Sequence, residues 1–137
     1  MAHSDVIDSL IATYRNLNLR IRPLDSAATA SNNSSLLDTI ASLRESEIRA
    51  SQTIKLMTLG EAAAGAAIPE APPSANASNV RTLLSEFGTA REAILATVRE
   101  MSEEDLAAER PGFEGASSIR QVLDQLVERD QKLMQSL

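Results

Sequence analysis

The sequence predicts an all-α fold, a four-helix bundle with one long crossover between its second and third helices. Three observations carry this. Apolar residues recur at spacings of three and four in four segments of similar length. Aromatic residues make up only 2% of the chain and tryptophan is absent, which leaves a core of Leu, Ile, Val, Ala and Met that suits helices better than sheets. Stripes of this kind can be hidden only against one another. At 137 residues and 43% hydrophobic content, one domain with a single core is expected.

The first helix is placed at about residues 4–22. Ser4 is positioned to cap it, Val6, Ile7, Leu10, Ile11, Tyr14, Leu17 and Ile21 form its stripe, and Pro23 is expected to end it. The stretch "LDSAATASNN" reads as a connection, with Ser34 or Ser35 capping a second helix over about 35–59. That helix carries Leu36, Leu37, Ile40, Leu43, Ile48, Ile54 and Met57 and stops near Gly60. Residues 60–78, "GEAAAGAAIPEAPPSANAS", lack a sustained period and read as a crossover that spans a distance, or as an active-site lid.

The third helix, about 79–101, presents Val80, Leu83, Leu84, Phe87, Ile94, Leu95 and Val98, with Gly88 allowing close packing. In "SEEDLAAE", Ser102 caps a short helical turn. Its acids Glu103, Glu104 and Asp105 fit solvated first-turn residues better than a cation site, because nothing organises a closed oxygen cage. "RPGFEGASS" turns into the fourth long helix, about 118–136, which buries Ile119, Val122, Leu123, Leu126, Val127, Leu133, Met134 and Leu137.

Composition narrows the function classes. The net charge of −6, with 13 basic and 19 acidic residues and no basic cluster, disfavours nucleic-acid binding. No apolar run approaches membrane-spanning length and the start lacks a signal-peptide pattern, so a cytoplasmic protein without membrane association is expected. Without cysteine, and with His3 as the sole histidine, metal chemistry would have to rely on carboxylates.

Helical projection puts four polar residues near the centres of the apolar stripes, one on each helix: Tyr14, Glu47, Arg91 and Asp130. Each lies near mid-helix, so side-by-side packing would bring them to one level. There Arg91 can bridge Glu47 and Asp130, and Tyr14 can donate its hydroxyl to either acid. The layer reads as a satisfied network that sets helix register, as a pocket with a carboxylate general base, or as an anchor for a small polar ligand. Arg129 lies nearer the stripe boundary and is expected to lift its charge into water.

The order of segments, with "SSLLDTIASLRESE" in the second helix and "SEEDLAAERPGFEGASSIRQVLDQLVERD" near the end, resembles the DinB-like superfamily, which includes thiol-dependent transferases and isomerases. The resemblance implies a four-helix bundle with a long second crossover, often a homodimer, and in many members a nickel or zinc ion held by three histidines. The matching positions here are Ser42, Arg129 and Leu133, none of which supplies such a ligand. The expectation is therefore a bundle with no metal or other cofactor, acting by binding or association. The alternative is a metal-independent small-molecule binder, or an enzyme of the transferase and isomerase group, that uses Glu47 or Asp130 in a pocket gated by the crossover. A third reading is a helical adaptor folded around a larger partner.

Overall fold

The computed structural model describes residues 2–27, 30–60, 67–110 and 116–137, with side chains described for all of these except 2–4, 25–27 and 30–34. Its described residues form five helices and no strand: α1 (Ala2–Ala27), α2 (Ala30–Leu59), α3 (Val80–Arg99), the short α4 (Glu103–Ala107) and α5 (Ile119–Ser136).

Two boundaries differ from the sequence expectation. α1 does not stop at Pro23 but runs through it to Ala27. Pro23 forfeits the helical bond that its N–H would make to the Leu19 carbonyl, a local cost that does not end the helix here. α2 begins at Ala30, so most of "LDSAATASNN" is helical and Ser34 and Ser35 lie inside α2 rather than capping it. The helix begins at Ala2, upstream of Ser4; the side chains of His3, Ser4 and Ser34 lie outside the described residues, as do residues 61–66 of the crossover and 111–115 of the turn before α5.

The other ends follow local chemistry. α2 stops before Gly60, whose φ of 60° suits a residue without Cβ. Asn79 caps α3 by accepting from the Thr82 N–H, and Ser118 caps α5 by accepting from the Gln121 N–H. Ser102 and Asp105 form a reciprocal capping box on α4.

Helix directions can be read from side-chain pairs. Arg44 meets Glu86 and Glu47 meets Arg91, so α2 and α3 run the same way. Thr13 meets Asp130 and Arg20 reaches the Met134 and Leu137 carbonyls, so α1 and α5 also run the same way. Leu10 faces Arg91 while Tyr14 faces Phe87, so α1 and α3 are opposed. The four long helices close a ring in the order α1, α3, α2, α5, with α4 against α5.

Parallel α2 and α3 require the chain to return along α2 before α3 begins. Val80 belongs to the same apolar cluster as Ile40 and Leu43, so the return covers about 30 Å at 1.5 Å per helical residue. An extended segment as long as residues 60–79 reaches about 65 Å, ample for that path. Its described part is tied down: Arg44 Nη2 donates to the Pro72 carbonyl at 2.5 Å, while Glu86 accepts from the Ala75 N–H at 2.9 Å and from the Ser74 hydroxyl.

The apolar interior consists of two clusters. One joins Val6, Leu10, Ile54, Met57, Ile94, Val98, Leu106 and Leu123; the other joins Leu17, Ile21, Ile40, Leu43, Leu83 and Phe87. Along every long helix the change from one to the other occurs at mid-length, and polar side chains occupy the gap.

Candidate functional site: a buried layer of paired charges

Each long helix contributes to the gap at the point where its stripe is interrupted. On α1, Thr13 lies between Leu10 and Leu17; on α2, Glu47 between Leu43 and Ala50; on α3, Arg91 between Phe87 and Ile94; on α5, Asp130 between Leu126 and Leu133. The side chains of Glu47, Arg91 and Asp130 are 0% exposed.

Arg91 is the hub. Its Nε donates to Glu47 Oε2 at 2.5 Å, and its Nη2 donates to Glu47 Oε1 at 3.2 Å and Asp130 Oδ2 at 2.9 Å. Nη1 donates to the Leu10 carbonyl at 2.7 Å, tying α1 to the layer through its backbone. Burial alone would lower the Arg91 pKa. The hydrogen bonds and charge of Glu47, followed by those of Asp130, outweigh it and hold the guanidinium above its ordinary value.

A second arginine completes the layer. Arg129 Nη2 donates to Glu47 Oε1 and Asp130 Oδ1, both at 2.7 Å, and its Nε donates to Asp130 Oδ1 at 3.2 Å. Its Nη1 donates to the Ser46 hydroxyl at 2.9 Å. The expectation that Arg129 lifts its charge into water is corrected: its side chain is 23% exposed, but its donors turn inward. Two buried carboxylates draw in a second cation, because one guanidinium cannot satisfy all four oxygens. The charges of Glu47, Asp130, Arg91 and Arg129 then cancel.

Tyr14 departs from its expected role. Its ring lies 5.6 Å from that of Phe87 at 47°, and its hydroxyl sits over Gly88, where an added Cβ would collide with it. Thr13 supplies the α1 hydroxyl instead, donating to Asp130 Oδ2 at 2.7 Å. Phe87 closes the layer on one side, with the Arg91 and Arg129 guanidinium carbons 5.2 and 5.9 Å from its ring centre.

The positions that the DinB-like resemblance assigns to metal ligands do not fit a divalent cation. Ser42 is exposed, Arg129 brings a permanent positive charge committed to two acids, and Leu133 packs on the second apolar cluster. Among the described residues no group of three or more His, Asp or Glu side chains is arranged to hold a metal ion. Glu103, Glu104 and Asp105 occupy the first turn of α4, where Asp105 serves the capping box. No helix among the described residues is long and apolar enough to cross a membrane.

Beside the layer, the seam between α2 and α5 opens into a groove of about 560 Å³. Ser46, Arg49, Arg129 and Lys132 line one end; Thr53, Ala116 and Val122 line the other, with Ala50 and Leu126 between. Glu47 and Asp130 are not among its walls.

Sequence reasoning missed Thr13, Ser46, the inward turn of Arg129 and the Arg44–Glu86 pair that holds the crossover. Glu86 lies below its ordinary pKa of 4.5 because it accepts from the Ala75 N–H, then from Ser74, with Arg44 adding its charge and hydrogen bond. Arg44 was detectable in principle: it stands three residues before Glu47, on the same face of α2. No protein-family model, curated protein or solved structure significantly matches the chain.

Proposed function

We propose that this chain is a DinB-like helical bundle, without a catalytic metal, that acts by binding rather than by catalysis. The observation that carries this reading is the closure of the charge layer. Arg91, Arg129 and Thr13 occupy every oxygen of Glu47 and Asp130, and neither acid reaches solvent. A general base needs a carboxylate oxygen within reach of its substrate, and every oxygen of these two is already engaged and buried. Parallel α2 and α3 joined by a long return support the DinB-like assignment. Assembly as a homodimer and a cytoplasmic location belong to the same reading.

Elemental analysis of the purified protein, followed by calorimetric titration with nickel and zinc, tests it. Less than stoichiometric metal and no saturable heat are expected. One tightly bound ion per chain would overturn it. Light scattering decides between monomer and dimer.

The groove between α2 and α5 favours one further element, a small-molecule occupant. Its volume falls in the range of ligand pockets, and its lining combines apolar side chains with a few polar groups.

A further inference from the structure

The groove between α2 and α5 has two chemically different ends. Arg49, Arg129 and Lys132 stand at the end nearest the charge layer, with Glu128 as the only acid among the described lining residues. With the charge of Arg129 balanced by the acids of the layer, Arg49 and Lys132 against Glu128 leave the described lining with a net positive charge, on a chain of net charge −6. Towards the other end the surface is made by Ala50, Ala116, Val122 and Leu126, residues that belong to the first apolar cluster.

The cationic end is also oriented. Arg129 is held by Glu47 and Asp130, so its guanidinium does not have to be ordered when a ligand arrives. The Ser46 hydroxyl accepts from Arg129 Nη1, which leaves its own proton to donate. Lys132 is engaged only at the surface, by Glu128 one helical turn away at 3.0 Å, a pair weak enough to exchange for an entering anion.

We propose that this groove binds an amphipathic organic anion, a carboxylate on an aliphatic or aryl body. The carboxylate lies among Ser46, Arg49, Arg129 and Lys132, and the body lies along Ala50, Leu126 and Val122. This inference rests on the small-molecule reading of the groove and specifies the ligand's chemistry.

Octanoate and 1-octanol, which share a chain length and differ in charge, are the probes. Octanoate is expected to bind saturably by calorimetry and to shift the amide resonances of residues 46–53 and 122–132. Arg49→Glu with Lys132→Glu, two substitutions at exposed positions, is expected to weaken octanoate about tenfold or more and to leave octanol unchanged. Absence of saturable octanoate binding at millimolar concentration, or shifts confined to other residues, overturns the proposal. Equal affinity of the charge-reversed protein also overturns it, since binding would then be apolar association only. The resonance map of the unaltered protein decides the location even if the variant misfolds. Stoichiometric nickel or zinc would undo the metal-free reading whatever octanoate does, and failure of octanoate leaves the metal result standing.

Discussion

Arg91 and Glu47 meet side-on at the centre of the fold, Nε to Oε2 at 2.5 Å and Nη2 to Oε1 at 3.2 Å, with neither side chain exposed. Forty-four residues separate them in the chain, so the pair joins two helices that no short loop holds together. The energetic weight of such a pair lies less in forming it than in breaking it.

Arg91→Met removes the hub and leaves two buried acids with Arg129 as their only cation. A loss of about 3–5 kcal/mol in unfolding free energy is expected in urea titration, the range for an uncompensated buried charge. Arg129→Met is expected to cost less, because its side chain is 23% exposed and water can enter from the groove to solvate Glu47 and Asp130. Equal losses would show that the groove does not admit water to the layer.

Replacing the whole charged set, with Glu47→Met, Arg91→Met, Arg129→Leu and Asp130→Leu together, should destabilise the protein less than Arg91→Met alone. Desolvation of all four charged groups disappears along with their pairing, and contacting residues do not contribute additively. A fourfold variant markedly less stable than Arg91→Met would show that the charges contribute net stability.

Gly88→Ala tests the approach of α1 to α3. The added Cβ would collide with the Tyr14 hydroxyl and lie 3.1 Å from its ring carbon Cζ, so a cost of about 1–3 kcal/mol is expected. In a Tyr14→Ala background the obstacle is gone, and the same change should stabilise by up to about 1 kcal/mol through helix propensity. Thermal unfolding of the double-mutant cycle reads the reversal of sign.

The depressed pKa of Glu86 makes attachment of the crossover dependent on pH. A carboxylate with a lower pKa folded than unfolded contributes stability that is full above its ordinary 4.5 and is lost as pH falls through the folded value. Amide exchange around Ala75, after correction for intrinsic rates, should therefore lose protection on acidification below 4.5. Glu86→Gln should show weak protection and a flat profile; an unchanged profile would place the control elsewhere.

The stripes of apolar residues were legible because the repeat of a helix is written in every turn. Three centre-line polar residues, Glu47, Arg91 and Asp130, could be found the same way. Assignments failed where neighbouring positions are equivalent by spacing. Thr13 and Tyr14 both stand three or four residues from Leu10 and Leu17, and Arg129 and Asp130 stand likewise between Leu126 and Leu133. A side chain as long as arginine then reaches inward from the edge of a stripe. The Arg44–Glu86 contact depends on the path of the crossover, which carries no periodic signal. Pro23 misled for a simpler reason: a proline weakens a helix without having to end it.

The arrangement of helix directions also bears on how fast the chain can reach this state. Among the described residues, α1 and α2 are consecutive yet barely touch, while α1 rests on α5 at the far end of the chain and α2 rests on α3 across the crossover. An ordinary up-and-down bundle gains its first packed seam from a hairpin of adjacent helices. Here long loops must close before either extensive seam forms, and loop-closure entropy precedes the reward. For an all-helical protein of this size, folding should therefore be slow, with a relative contact order closer to that of mixed α/β domains than to that of simple bundles.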